Sequence, residues 1–436
     1  METLERTEHY LSLFRQAYGA GVYPSWFARL RESAMESFTR LGFPAPGSED
    51  WKYTNVDPIA AVPFAHANGE GKALTGEIFA SAFVDAACPR LAFVNGAYSE
   101  RLSLLNGLPA GVRVASLGAA LEANEPALEP YLCRAARYRE QPFVALNTAL
   151  MEDGAVVLVP EGCRMAAPLY LVFVSTAEAR PVQSQPRNLV VLGAGSEANI
   201  VESYIGLGTG NYFTNAVTEL FAAQDAIVDH YRVQREGDRG FHVGALEAQL
   251  SSRCSFTAHA ITLGGLLVRN DLRVVLDGED SACVLNGLYL ADADGHVDNH
   301  TDIEHARPRT TSLELYKGIL SGGARGVFNG KIIVHKDAQK TDARQTNKNL
   351  LLSEGAVANS KPQLEIYADD VKCSHGSTIG QLDGDALFYL RSRGLGADDA
   401  RSLLSYAFAS DVVGRMKIPA LRERLDDYLV NRFRRN

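Results

Sequence analysis

The sequence predicts a mainly β protein, a parallel β-helix core flanked by N-terminal and C-terminal α-helical regions. Three observations predict it. A helical period fills the first 45 residues, and short β-branched runs closed by Gly, Pro or Ser replace it from about residue 151 to 385. A leucine-led punctuation recurs through those runs, and the helical period returns after Leu395-Gly396. The chain therefore divides into a helical and mixed region over 1–150, a β-helix core over 151–385 and a helical region over 386–436.

In the first helix Leu4, Leu11, Phe14 and Tyr18 share a stripe. Pro24, a favoured first-turn residue, opens a second helix with Phe27, Leu30, Ala34, Phe38 and Leu41 on one side. Gly42 stands where a helix end wants a left-handed residue, and the breaker-rich run to Gly47 follows.

In the core, Val156 to Pro160, Leu169 to Val174 and Leu189 to Leu192 read as strands. Leu192, Leu220, Leu250, Leu276, Leu320, Leu352 and Leu382 each precede small or polar residues, at steps of 28, 30, 26, 44, 32 and 30. Strands and turns at this interval, with no helices between them, point to a solenoid. A β-sandwich also yields many short strands and is the alternative. The long step encloses Asp292 to Glu304, predicted as an elaborated turn or a differently phased coil.

After residue 396, Asp398 or Asp399 is placed to cap a helix carrying Leu403, Leu404, Ala407, Phe408 and Val412. Pro419 opens another with Leu421, Leu425, Tyr428 and Leu429. Such helices cover a solenoid or dock a partner. Phe408, Val412 and Val413 exceed the apolar surface that two helices need for themselves, which makes them the candidate partner surface, with plain packing as the other reading.

At 436 residues, 46% apolar and 22% charged, the composition is that of a soluble globular protein. A net charge of −9 argues against a general nucleic-acid binder. Met1 to Arg6 lacks a secretory layout, and no apolar run reaches the roughly 18 residues that span a membrane. Cys88, Cys133, Cys163, Cys254, Cys283 and Cys373 are scattered without a CxxC pair, as expected of reduced cytoplasmic thiols.

Cys373 and His375 are the candidate metal or sulfur site. On an extended segment, i and i+2 side chains share a face and can address one metal or one partner. A cysteine this near charged residues and a histidine is expected to have a lowered pKa and to act as a thiolate ligand or sulfur acceptor. Buried packing and a hydrogen-bonded structural histidine are the bland readings. His296, Asp298, His300, Asp302 and Glu304 also alternate on one face and resemble a divalent-metal site, with a hydrogen-bonded surface weighed against it; His305 follows them. The mixed-charge run from Lys331 to Gln345 reads as a solvated face. Gly193-Ala194-Gly195 has the wrong spacing for a dinucleotide fingerprint, and neither a Walker A sequence nor a GxSxG elbow is present. A non-enzymatic role follows, with any ATP use left to a partner.

The stretch Ser360 to Ile366, Ala368 to Gly376, Gly380 to Asp383 and Leu387 to Gly394 resembles the signature of the SufB/SufD family, on its SufD side. Glu49-Asp50-Trp51-Lys52-Tyr53-Thr54 and Phe143 to Ala149 resemble further family motifs, so the resemblance spans nearly the whole chain. It implies a right-handed parallel β-helix and a scaffold subunit for iron–sulfur cluster assembly. It implies pairing with SufB through the β-helix and binding of the ATPase SufC through the C-terminal helices. A transient cluster, or its iron and sulfur precursors, would form at the SufB–SufD interface, with His375 as ligand and Cys373 in support. The competing classes are a β-helix polysaccharide-active enzyme and a stand-alone metal-binding protein using His296 to His305. Flavin binding and homodimer formation are left open.

Overall fold

The computed structural model describes residues 3–18, 23–45, 47–67, 74–178 and 180–434, and its core is a parallel β-solenoid of about eight coils. Each coil gives one strand to each of two facing sheets. Sheet A contains Ala155–Val159, Arg187–Leu192, Tyr212–Ala222, Gly240–Leu250, Leu267–Leu276, His296–His305, Arg325–Val334 and Val357–Ile366. Sheet B contains Leu169–Ala177, Glu197–Gly208, Ile227–Arg235, Ser255–Thr262, Ala282–Ala291, Thr311–Leu320, Asp342–Leu351 and Lys372–Gly380. Neighbours within each of these runs are parallel and a full coil apart in sequence, an arrangement that a sandwich of hairpins does not give. At the N-terminal end Arg90–Val94 adds to sheet B, and Arg113–Ser116 closes sheet A in antiparallel pairing with Ala155–Val159.

Alternate residues of each strand point into the solenoid. One inward column climbs sheet A through Leu192, Ala222, Leu250, Leu276, His305, Val334 and Ile366. This column corrects the reading of the long step in the leucine punctuation. His296–His305 is an ordinary strand, in register with Leu267–Leu276, and not an elaborated turn. Its column position is filled by His305 instead of leucine, while Leu320 belongs to sheet B, so the punctuation changes sheets between Leu276 and Leu320. His305 tolerates full burial because both ring nitrogens find hydroxyls: Nδ1 meets Thr310 Oγ1 at 2.7 Å and Nε2 meets Ser312 Oγ at 2.9 Å.

The turns from sheet A to sheet B also stack. Gly195, Asp225, Arg253, Asp280, Arg309 and Lys340 all have φ between 57° and 65°, a left-handed conformation that costs a non-glycine residue about 1 kcal/mol. Each donates its backbone N–H to a carbonyl of the following coil; Arg253, for example, reaches Glu279 O at 2.9 Å. The side chains add charge pairs up the column, Arg253 to Asp225 at 2.7 Å and Arg309 to Asp280 at 2.8 Å. At its top Lys340 donates to Asp370 O, and the N–H of Asp370 is taken by Gln339 Oε1 at 2.9 Å.

The N-terminal region covers the outer face of sheet A. Helix Ser25–Leu41 buries Phe27, Ala34 and Phe38, and Gly42, at φ 65°, ends it with an N–H bond to Phe38 O. In helix Thr3–Tyr18, Phe14 is buried and Leu11 half-buried, whereas the side chains of Leu4 and Tyr18 lie outside the described residues, as does Pro46 in the breaker run. Tyr10, Phe38, Phe43 and Phe143 form an edge-to-face aromatic cluster over Phe213 of sheet A.

The C-terminal helices, Gly384–Ser392, Ala397–Val413 and Pro419–Arg434, follow the last coil. Asp398 and Asp399 sit in the first turn behind Gly396 instead of capping it, where carboxylates still favour the positive helix end. The second and third helices pack on the outer face of sheet B. Val412 and Val413 are fully buried there together with Leu421, Leu425 and Leu429, against Tyr231, Val233 and Ile261. This corrects the candidate partner surface: the surplus apolar residues cover the chain's own sheet. Phe408 is half-buried, with the Lys317 ammonium 4.6 Å from its ring centroid.

Candidate functional site

The last coil, Val357–Ile366 with Lys372–Gly380, is the mouth of the solenoid. Among the described residues no further coil lies on it, so Lys372–Gly380 is exposed along nearly its whole length. Its register sets the inward side. Cys373 pairs with Ala343 and His375 with Gln345, both buried inward residues of the preceding coil. Cys373 and His375 therefore share a face, as the spacing predicts, and it is the face that looks into the lumen. The thiol is half-buried against the top of the core, and the imidazole is exposed at the opening.

Burial, with the Asp342 carboxylate nearby, raises the Cys373 pKa. This overturns the expectation of a lowered thiol pKa. No cation stands among the groups that shift it, and a desolvated thiol beside a carboxylate keeps its proton. Below His375 in the same column, Gln345 Nε2 donates to Glu314 Oε2 at 2.8 Å. Among the described residues no group of three or more His, Cys, Asp or Glu is placed to hold a metal ion. The mouth thus presents one thiol and one imidazole on its inward face. The last coil, its turn and the helix that follows also expose Tyr367, Phe388 and Tyr389, by 63%, 74% and 57%, with Ile366 and Ile379. Helix Gly384–Ser392, which carries Phe388 and Tyr389, has no buried residue.

The second histidine-rich strand is spent differently. His296, Asp298, His300, Asp302 and Glu304 do share the outer face of sheet A, and hydrogen bonds and ion pairs occupy them. His296 meets Thr54 Oγ1 at 2.9 Å. Asp298 accepts from Thr54 at 2.5 Å and Arg269 at 2.9 Å, and lies 3.0 Å from His300 Nε2. Glu304 takes Arg273 and His335. The family-like Glu49 to Thr54 segment docks here, with Arg269 stacked 3.8 Å from the Trp51 ring centroid and donating to Asp50 O at 2.6 Å.

Among the buried charge pairs that the sequence analysis does not anticipate is Arg187 with Glu219 at 2.6 Å, both fully buried. Glu219 also accepts backbone N–H bonds from Cys133, Ala135 and Ala136, and Arg187 reaches Asn147 Oδ1, so the pair ties the N-terminal region to the solenoid. Arg187 is the single charged residue of Arg187–Leu192 and Glu219 that of Tyr212–Ala222, and this was the available signal.

Among the described residues no helix is long and apolar enough to cross a membrane. The sequence matches the SufBD core domain of SUF-system FeS cluster assembly over residues 173–408 and the SufBD N-terminal region over residues 4–171. It is 34% identical to an iron–sulfur cluster assembly SufBD family protein of Synechocystis, covering 95% of this chain and 93% of the relative. It is 31% identical to the iron–sulfur cluster assembly protein SufD of Escherichia coli, covering 90% and 89%. Against the SufD of Bacillus subtilis identity is 25%, over 96% of each chain. The parallel solenoid, its open mouth and its docked N-terminal motif thus belong to a chain that is a member of the SufBD family of iron–sulfur cluster assembly proteins.

Proposed function

We propose that this chain is a non-catalytic scaffold subunit for cluster assembly, completed by a SufB-type β-helix at its mouth and driven by a SufC-type ATPase on its C-terminal helices. The observation that carries this reading is the open last coil with Cys373 and His375 side by side on its inward register. An exposed parallel edge is a docking surface for another strand-built end, and pairing there removes a long unpaired edge. A nascent cluster, as cargo, lies between the two chains, with His375 supplying an imidazole to iron and the partner supplying further ligands. Cys373, protonated in the free chain, is the supporting residue; loss of its proton accompanies iron binding. The ATPase docks on the outward face of the second and third helices, since Val412 and Val413 face the sheet. Its movement reaches the mouth through the solenoid body. The site of this work is the cytoplasm.

The test is cluster accumulation on the co-purified complex. His375→Ala abolishes it while leaving both partners bound. A normal cluster yield from that variant removes His375 from the mechanism, and failure of a SufB-type and a SufC-type protein to co-purify with the unaltered chain removes the scaffold reading.

A further inference from the structure

A cavity of about 720 Å³ lies between the N-terminal region and the outer face of sheet A and reaches Lys361, Gln363 and Glu365 on the last coil. Its size falls in the range of small-molecule sites. Trp51, Phe143, Pro142 and Val243 supply apolar walls, and Glu247, Arg273, Asp302 and Arg137 a polar floor. Glu247, Arg273 and Asp302 stand in one cross-strand row on three successive coils.

Arg273 donates to Glu304, but the Glu247 and Asp302 carboxylates at the floor are loosely bonded. Arg273 lies 3.6 Å from Glu247 and 3.7 Å from Asp302, and Arg137 lies 3.7 Å from Asp302, all beyond a normal hydrogen bond. Glu247 Oε2 and Asp302 Oδ1 are buried acceptors with no hydrogen-bond partner, and the Glu247 side chain is 3% exposed. The lysines at the rim are engaged elsewhere, Lys331 with Glu365 and Lys361 with Glu49. Burial, aided by Glu219 and Asp271, outweighs Arg137 and Arg273 and pushes the Glu247 carboxyl up to about 7; burial also raises Asp302. Glu247 Oε2 and Asp302 Oδ1 line the cavity without a donor, so an N–H donor entering it would satisfy them.

Those features select the ligand's chemistry. An anion would meet Glu247, Asp302 and Asp271 in a low-dielectric space. A metal ion finds no set of three ligands among the described residues. A compact N–H-bearing cation matches both the unpartnered carboxylate oxygens and the apolar walls, through charge-assisted hydrogen bonds and cation–aromatic contact. We propose that this cavity binds a small organic ammonium ion, with Glu247 and Asp302 accepting its N–H donors.

The experiment is calorimetric titration of the full chain at pH 7.5 and constant ionic strength, with 1,4-diaminobutane as cationic probe and acetate and phosphate as anionic probes. Saturable 1:1 binding of the diamine alone is expected. Glu247→Gln keeps the shape and removes the charge, so it should weaken binding about tenfold or more, the size of one charge-assisted hydrogen bond. Asp302→Asn should act in the same direction, while Asp337→Asn, on a distant turn, should bind like the unaltered chain. Thermal melting of each variant shows that the fold is kept. Absence of saturable binding, unchanged affinity in Glu247→Gln, or displacement of the diamine by acetate or phosphate would overturn the assignment, leaving a water-filled space.

Discussion

Thr54 donates a 2.5 Å hydrogen bond to Asp298 across 244 residues of chain. That carboxylate is buried, which by itself would raise its pKa, yet His300 and Arg269 hold it well below the usual range. A hydrogen bond to a buried charge is worth about 1.5–3 kcal/mol. Thr54→Val should therefore lower unfolding stability by about 2 kcal/mol and expose Trp51, which urea denaturation followed by tryptophan fluorescence would detect. A change within a few tenths of a kcal/mol would mean that Arg269 and His300 suffice to hold the segment.

At the mouth, the two ligand candidates should separate. Cys373→Ser should reduce cluster accumulation less than His375→Ala, because the thiol is half-buried and protonated while the imidazole is free at the opening. Reconstitution of both variants with iron and sulfide, read by visible absorption of the complex, checks the order. A larger loss in the serine variant would reverse the assignment of main and supporting ligand.

Glu314 sets a pH dependence of stability. Burial pushes its carboxyl up to about 7 in the folded chain, with Thr301 and Gln345 pulling back, against 4.5 as the ordinary value. Between these limits the unfolded chain loses this proton while the folded chain keeps it. The group's contribution is thus fully present below about 4.5 and is lost as pH rises through about 7. At about 1.4 kcal/mol per pH unit the loss is about 3 kcal/mol. Glu314→Gln should match the unaltered chain at pH 4.5 and exceed it at pH 8 by up to that amount, measured by denaturant titration at both values. Equal stabilities at pH 8 would mean that the ionised carboxylate is accommodated.

Lys317 fastens the second C-terminal helix to sheet B. It donates to Phe408 O at 3.2 Å and pairs with Asp411 at 2.7 Å while almost wholly buried. Lys317→Ala should cost about 2 kcal/mol in docking of the helix and speed proteolysis between residues 381 and 396, with the solenoid fragment remaining intact on a gel. Unchanged cleavage would show that Val412, Val413 and Leu421 hold the helices without it.

The solenoid was legible because its strands repeat, and its irregular places were legible only in part. A histidine in a leucine column looks like a break in the pattern; Thr310 and Ser312, which make His305 acceptable, approach it only once the coil has closed. Spacing put Cys373 and His375 on one face but left open which face, because inward and outward are settled by pairing with Ala343 and Gln345. The apolar excess at Val412 and Val413 points equally to a partner surface and to plain packing in the sequence, and the chain's own sheet B, far away in sequence, buries both side chains. Arg187 and Glu219 were passed over because a buried ion pair leaves no periodic trace.

The stacked turns carry a consequence for where the solenoid stops. From Asp225 to Lys340 each turn hands a hydrogen bond to the coil above, so the column is a template that could accept another coil at little cost. Gln339 ends the series by bending its side-chain amide oxygen onto the N–H of Asp370. One glutamine thereby imitates the next floor of the building, sealing the turn column on its own side while the strand edge beside it stays open.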